Sequence, residues 1–277
     1  MSPLILALIW FIPSLVILLL IGLKIFDEDH KVDFSNFPEI IWDVRGGLFL
    51  LLLVYIALKI ENTVKDYYNV GIKATEFFYR VEGVEHIVFL QNHLGHYLII
   101  ESSSLFYTLG LFYLVVFAPL FFMFRGEREN FNLFSKMLMV NYFFLIPSYF
   151  ILHVVVTSYY APEVAPLLYS NDQQLALLHM INRLDNCFPS GHISVSLTIT
   201  FLALFKAKLK RLGYFGIVFT ALTGVVILYL GVHWALDIPA GIALGVFAYW
   251  SVIRGKWDFL FDPIMNFFEE KTEKLGK

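Results

Sequence analysis

Long apolar stretches separated by short polar turns dominate the chain and predict helices that cross a membrane. A helix needs about 20 apolar residues to span the hydrocarbon core of a bilayer, with a range of roughly 17–25. The pattern predicts about seven spans, at 3–22, 46–58, 105–124, 137–157, 190–205, 213–232 and 236–253. The run 46–58 is short for a span, so we expect it to borrow residues at its ends. Pro147 predicts a kink in the fourth span.

Residues 61–101 follow a different pattern. Charged side chains recur there between aromatic and aliphatic residues, as in an amphipathic helix that lies at a membrane surface or re-enters it. The charged residues are Glu61, Lys65, Asp66, Lys73, Glu76, Arg80, Glu82 and Glu85. We therefore expect an interfacial segment at 61–101, between N-terminal spans at 1–60 and the main bundle at 102–255, with a C-terminal tail at 256–277.

Composition supports this reading. Hydrophobic residues make up 58% of the 277 residues and charged residues only 16%, with a mean hydropathy of +0.70. A soluble surface normally carries more charge. The predicted fold class is an all-α polytopic membrane bundle whose partner is the bilayer. The net charge of −3 gives no reason to expect nucleic acid. Cys187 is the sole cysteine, which excludes an internal disulfide. The apolar N-terminus lacks a basic region, so we expect a retained span and no signal peptide.

Basic residues in short loops indicate which end of the bundle faces the cytoplasm. The strongest cluster lies between the fifth and sixth spans, at Lys206, Lys208, Lys210 and Arg211. With these residues inside, alternation of the spans places the loop 158–189 and the turn 232–237 outside. Two polar motifs in these regions therefore share one membrane face, which we predict to be extracytoplasmic.

The first motif is Pro189-Ser190-Gly191-His192, directly before the fifth span. Serine is a preferred helix N-cap, and the first backbone N–H groups of a helix have no partner inside the helix. Such groups, aided by the helix dipole, bind phosphate. Gly191 lets the backbone come close, and His192 in the first turn could donate a proton to a leaving oxygen.

The second motif is His233-x-x-x-Asp237, before the seventh span. Residues four apart lie on one face of a helix. A carboxylate on one imidazole nitrogen would fix the tautomer and leave the other nitrogen free to attack phosphorus. The predicted roles are His233 as nucleophile, Asp237 as its orienting partner and His192 as acid and then base. This chemistry forms a phosphohistidine and requires no metal or cofactor.

Each motif alone has an ordinary structural explanation. Ser190 and Gly191 could merely cap and pack a helix, and His233 with Asp237 could form a structural hydrogen bond. Their joint occurrence on one face favours function, because membranes penalise ionisable groups that have none. The small-residue pair Gly241 and Gly245 predicts helix packing and no chemistry.

These residues resemble the type 2 phosphatidic acid phosphatase superfamily, whose members carry Pro-Ser-Gly-His and, one helix hairpin later, His-x-x-x-Asp. The resemblance covers about 82–253 and implies a core of six helices. It also implies the roles given above, with Ser190 and Gly191 binding phosphate. The stretch from Glu82-Gly83 through Leu184-Asp185-Asn186-Cys187-Phe188 is similar to an archaeal and bacterial branch grouped with inositol phosphorylceramide synthases.

Two features depart from the family pattern. Val226-Ile227 stand where the family has Ser-Arg, and the family's lysine seven residues before Arg-Pro is absent. A phosphate dianion still needs cations. Arg183 is nearest in sequence, either as a phosphate ligand or as an ordinary loop arginine. A weaker hypothesis is that one of Lys73, Arg80, His86, His93 and His96 lines the site.

Three functions follow from this pattern. If water resolves the phosphohistidine, the chain is a phosphatase for a lipid phosphate or a polyprenyl diphosphate. If an alcohol does, it is a phosphotransferase similar to inositol phosphorylceramide synthase. The missing cations motivate the third, a non-enzymatic lipid-phosphate binder or transporter. The sequence does not choose between water and an alcohol.

Overall fold

A computed structural model describes residues 3–68, 71–169 and 183–275, and the chain is helical over most of these ranges. The helices are α1 (Pro3–Phe26), α2 (Phe37–Asp43), α3 (Arg45–Tyr67), α4 (Thr75–Glu82), α5 (Glu85–His93), α6 (Tyr97–Phe124), α7 (Arg128–Ile151), α8 (Thr157–Tyr160), α9 (Gly191–Phe201), α10 (Lys210–Tyr229), α11 (Asp237–Ile253) and α12 (Asp258–Leu275). A π-helical turn, Leu202–Lys206, continues α9. Two short parallel strands, β1 (Ile72–Lys73) and β2 (Leu152–His153), pair beside the ends of α3 and α7.

Several helices are long and apolar enough to cross a membrane. In the described ranges these are Leu8–Phe26 of α1, α3, α6, α7 and α10, and the pair α11 and α12, bent by 67°, adds one further candidate span. The helix Gly191–Lys206 is apolar but shorter. The predicted class, an all-α polytopic membrane bundle, is confirmed.

Some helix bounds differ from the prediction. α3 continues past residue 58 to Tyr67, so Glu61 and Lys65 belong to a long helix and not to the interfacial segment. Both side chains are buried, because polar partners from the loop before α9 cover the last two turns. α7 ends at Ile151, earlier than the predicted 157, because the following residues pair as β2 with β1.

Helices α4 and α5 have the amphipathic character expected of an interfacial segment. Phe78 and Ile87 are buried, whereas Phe77, Val81 and Phe89 on the other face are exposed. α5 is fastened to the bundle by Gln91, whose side-chain amide donates to the carbonyls of Ala165 and Tyr229 and accepts from Ala165 N. These helices therefore form a lid of fixed position over one end of the bundle.

Ion pairs tie the helix ends together at the opposite end of the bundle. Arg125 at the end of α6 pairs with Asp27 and Asp29 after α1. Lys136 of α7 pairs with Asp258 and Asp262 of α12 at 2.6 and 2.5 Å. Most basic residues of the short loops lie at this end, in agreement with the alternation of spans inferred from the sequence.

Close packing of α9 against α11 brings the two sequence motifs together. A Cβ atom at Gly241 would lie 2.7 Å from Ser190 O, and one at Gly245 would lie 2.7 Å from Ser194 O. The missing side chains therefore allow the backbones of α9 and α11 to touch, as at other small-residue helix interfaces in membranes. Thr198 Oγ1 adds a hydrogen bond to Gly245 O at 3.2 Å.

This packing predicts that Gly245→Ala destabilises the bundle by about 1–3 kcal/mol, because the new methyl group meets a backbone oxygen that cannot rotate away. Thermal unfolding of the purified protein in detergent measures the change. Gly224→Ala in α10 is the matched control. A Cβ there has its nearest neighbours at 3.9 Å, so the gain in helix propensity, up to about 1 kcal/mol, should dominate. Equal melting temperatures for both variants would contradict the close contact.

Candidate active site

The turn between α10 and α11 is held rigidly in place. Gly231 ends α10 with φ +71°, a left-handed conformation that glycine adopts without strain. Trp234 is fully buried, and its indole Nε1–H donates to Val155 O at 2.8 Å. The residues on either side of His233 are thereby fixed before any substrate binds.

His233 and Asp237 form the hydrogen bond that the sequence predicts. His233 Nδ1 lies 2.8 Å from Asp237 Oδ2, and both residues are buried. The same carboxylate oxygen accepts from Trp234 N at 2.9 Å. Because Nδ1–H donates to Asp237, the lone pair of Nε2 is free to act as a nucleophile or base.

The first motif meets the second at the start of α9. Ser190 caps the helix by accepting from Ile193 N at 3.4 Å, and Ser190 N donates to the backbone oxygen of Asp237 at 3.1 Å. Ser190 is fully buried. Gly191 and His192 form part of the wall of a cavity beside His233. The structure thus places Gly191 at the surface of the site and Ser190 behind it.

The two histidines face one another across a short gap. Their ring centroids are 6.1 Å apart, and the ring planes are inclined by 72°. Both rings also border the same polar cavity, so a single group bound there can contact both histidines. His192 is also stacked on Tyr107, with centroids 4.4 Å apart and planes 21° from parallel. This stacking fixes the plane of the His192 ring.

Two cavities meet at His192. One of about 140 Å³ is polar on one side and includes Glu61, Asn62, Arg183, Asn186 and both histidines in its wall. The other, of about 410 Å³, is an apolar groove between α3, α6 and α7. The two cavities share five wall residues, which are Leu58, Asn62, Leu111, Tyr142 and His192. An apolar groove therefore leads directly to the pair of histidines.

Arg183 lies in the wall of the polar cavity, but its charge is shared with two carboxylates. Its guanidinium donates to Asp185 Oδ1 at 2.9 Å and to Asp66 Oδ1 at 2.6 Å. Burial acts to raise the pKa of Asp185, yet the hydrogen bond from Arg183 and the charge of Lys65 hold that pKa below its usual value. Asp185 therefore stays ionised at neutral pH and keeps Arg183 at the edge of the cavity.

A buried network between α3 and the loop before α9 was not found by the sequence reasoning. Lys65 Nζ lies 3.0 Å from Asp185 Oδ2, 2.5 Å from Asn186 Oδ1 and 3.2 Å from Tyr149 O. Asn186 Nδ2 donates to Glu61 Oε1 at 2.9 Å. Spacing in the sequence gives no signal for these contacts, because their partners lie at least 84 positions apart.

Glu82 is a second feature that the sequence reasoning missed. Its carboxylate accepts from Ala235 N at 2.6 Å and from Leu236 N at 2.8 Å, the backbone donors that precede α11. Burial raises the pKa of Glu82, although these two hydrogen bonds act in the opposite direction. Helix starts are commonly capped from within the same segment, so a carboxylate supplied from α4 leaves no local signature. Glu82 links the interfacial lid to the turn that holds His233 and Asp237.

The weaker candidates are not brought to the site. Lys73, Arg80, His86, His93 and His96 are absent from the walls of both cavities that contain His192. Arg80 pairs with Glu76 on the surface of α4, and His93 packs on Phe89. The interfacial segment contributes Glu82 to the turn that holds His233 and none of these five cations to the walls of the two cavities.

Cys187 lies beside His233 and Asp237. The ligand atoms of Cys187, His233 and Asp237 fall within 4.8 Å of one another, which is close enough in principle for a metal. The His233–Asp237 hydrogen bond already uses one atom of each residue, and the Cys187 thiol lies 3.6 Å from Val232 O. These contacts account for the three residues as packing around the turn between α10 and α11.

Comparison with known proteins identifies relatives. The model of the PAP2 superfamily matches residues 104–260, more than half of the chain. The Bacitracin transport permease protein BcrC of Bacillus licheniformis is 33% identical over 118 residues, which are 39% of this chain and 55% of that protein. The chain thus spans about half the length of this curated relative. No solved structure gives a significant match.

The two hydrogen bonds that Glu82 accepts from the turn before α11 predict that Glu82→Gln lowers the turnover of a phosphate ester substrate about tenfold or more. The amide nitrogen cannot accept a hydrogen bond, so one of the two backbone N–H groups loses its partner, and small misplacements of catalytic groups are costly. Steady-state kinetics in detergent measures the effect. Glu85→Gln, at an exposed position three residues along the chain, is the matched control and should behave as wild type. Full activity in Glu82→Gln would show that activity does not require both hydrogen bonds.

Proposed function

The chain belongs to the PAP2 superfamily, and we propose that it is a membrane-embedded lipid phosphatase acting through a phosphohistidine. This membership confirms the resemblance to type 2 phosphatidic acid phosphatases. One observation carries the proposal: the buried His233–Asp237 pair faces His192 where an apolar groove reaches a polar cavity. The likeness to inositol phosphorylceramide synthases remains a prediction.

The first step uses both histidines. His233 Nε2 attacks phosphorus while the bond from phosphorus to the lipid oxygen breaks. Protonated His192 gives its proton to that oxygen, which leaves as the lipid alcohol from a monophosphate or as the lipid monophosphate from a diphosphate. Asp237 holds the tautomer of His233 and stabilises the positive charge that develops on the ring. The product is a phosphoryl group bonded to His233.

The second step reverses the role of His192. His192 takes a proton from water, the water oxygen attacks phosphorus, and the bond from phosphorus to His233 nitrogen breaks. Inorganic phosphate leaves, and His192 is protonated again for the next turnover. The backbone N–H groups at the start of α9, at Gly191 and His192, are the proposed phosphate cradle, with Ser190 setting their position and Arg183 at the edge of the cavity.

The lipid tail is the proposed occupant of the apolar groove. The groove has Leu51, Val54, Leu58, Leu111 and Val115 in its wall, side chains that suit an acyl or isoprenoid chain. The substrate class is therefore a membrane lipid bearing a terminal phosphate, such as phosphatidate, or a polyprenyl diphosphate. We place the site on the extracytoplasmic face, because the basic loops lie at the other end of the bundle.

Transfer to an alcohol is the second candidate function. The polar cavity is favourable for a hydroxylated acceptor, because Glu61, Asn62 and Asn186 in its wall offer carboxylate and amide groups. Hydroxyl groups donate to and accept from such side chains. In this variant an alcohol oxygen replaces water in the second step, and the product is a phosphate monoester of that alcohol.

Non-enzymatic lipid-phosphate binding or transport is the third candidate. The relative from Bacillus licheniformis is named a transport permease, which motivates a direct test. A binder or transporter on this scaffold would keep its function when either histidine is removed, whereas an enzyme would not.

If a phosphohistidine forms, the protein should carry ³²P after it is mixed with a ³²P-labelled lipid phosphate and quenched in alkali. His233→Ala should give no labelled protein and no turnover, because the nucleophile is gone. His192→Ala should lower turnover about 10²–10⁴-fold, the usual contribution of a general acid. Melting temperatures confirm that the variants are folded. Unchanged function in both variants would refute the enzymatic proposal.

The acceptor is identified by the products. Purified protein is given a lipid phosphate with and without a polyol such as inositol. The phosphatase predicts equal release of inorganic phosphate in both samples. A phosphate ester that forms only with the polyol, with a matching decrease in free phosphate, would establish transfer instead.

A further inference from the structure

Among the residues that the structure describes, the cations at the polar cavity are all paired with carboxylates. Lys65 and Arg183 are both paired with carboxylates, since Asp185 contacts both of them and Asp66 contacts Arg183. Glu61 adds a further buried carboxyl group to the same wall. Residues 170–182, outside the described ranges, contain Asp172 and His179 but no lysine or arginine. The groups in this wall therefore do not balance the charge of an incoming phosphate.

Lys59 on α3 is different. It lies in the wall of the apolar groove together with His192. Its ammonium sits over the ring of Tyr55, 5.6 Å from the ring centroid. Among residues in the described ranges, no carboxylate pairs with it, whereas Lys65 one and a half turns along α3 is fully paired. Lys59 is exposed in the second half of α3, so its ammonium is available to an anion that enters the groove.

The position of Lys59 relates it to both cavities. Tyr55, Lys59 and Asn62 recur at spacings of four and three residues, so they follow one face of α3. All three are in the wall of the groove, and Asn62 is also in the wall of the polar cavity. The flexible four-carbon stem of lysine allows its ammonium to turn from Tyr55 toward an anion near Asn62.

We propose that Lys59 binds the phosphate group of the lipid substrate at the junction of the groove and the polar cavity. This inference rests on the proposed function and deepens it by naming the cation that takes over from the missing motif residues. The lipid enters from the bilayer with its tail in the groove. Its phosphate exchanges water for the ammonium of Lys59 on one side and the N–H groups of Gly191 and His192 on the other.

Substitution tests the charge of Lys59. Lys59→Met keeps a long unbranched side chain without charge, and Lys59→Arg keeps the charge. Lys59→Met should lower kcat/KM for a short-chain phosphatidate at least tenfold and weaken inhibition by inorganic phosphate. Lys59→Arg should retain most of both. Lys73→Met is the matched control, because Lys73 is exposed and absent from the walls of both cavities. It should match wild type in both measurements.

Chemical protection tests the contact without any substitution. A lipid phosphonate that inhibits the wild-type enzyme is added before reductive methylation, and labelled lysines are quantified by mass spectrometry. Bound phosphonate should protect Lys59 several-fold and leave Lys73 equally reactive. Equal methylation of Lys59 with and without the inhibitor would overturn the inference, even if Lys59→Met failed to fold.

The two proposals fail in different ways. If the wild type forms labelled phosphohistidine and Lys59→Met matches Lys73→Met in kcat/KM and phosphate inhibition, Lys59 is not a phosphate ligand and the enzymatic proposal stands. If the wild type forms no labelled protein, the phosphohistidine proposal fails. Protection of Lys59 by the phosphonate would then support binding of lipid phosphate alone.

Discussion

The buried carboxyl group of Asp237 is the point on which the site depends. Its side chain accepts from His233 and from Trp234 N, and its backbone oxygen accepts from Ser190 N. One residue thus joins the start of α9, the start of α11 and the turn between α10 and α11. An ionisable group at this depth is costly unless it is paired, so the folded structure holds the donors around Asp237 where the chemistry requires them.

The other contacts around Asp237 provide hydrogen-bond partners for polar groups at this end of the membrane bundle. The backbone N–H groups before α11 donate to Glu82. Lys65 holds the loop before α9 through its contacts with Asp185 and Asn186. These partners come from α3 and α4, which lie outside the hairpin that carries the two motifs. The hairpin that carries the two motifs is therefore held in place by polar contacts from earlier parts of the chain.

Much of this arrangement could be predicted from the sequence, and the rest could not, for a physical reason. Apolar periodicity and the alternation of spans predicted the bundle class and brought His192 to the same end as His233 and Asp237. The contacts of Glu82 and Lys65 join positions far apart in the chain, and no local pattern encodes such pairs. The end of α3 was predicted too early, because Glu61 and Lys65 look interfacial until their partners are known. Arg183 was named as a candidate, but its pairing with Asp66 and Asp185 depends on the fold.

The loss of family cations has a simple interpretation in this geometry. Phosphate needs positive charge at a place in space, and a helix that borders the substrate groove can supply it as well as the catalytic hairpin can. Nucleophilic attack is less tolerant, because it requires a particular atom with a fixed tautomer and direction. In the proposed mechanism the constraint therefore falls on His233, Asp237 and His192, which match the family motifs, while the cation that binds phosphate can lie on α3. Under the proposal for Lys59, a lipid entering from the groove side meets this cation before the histidines, and recognition begins at the bilayer.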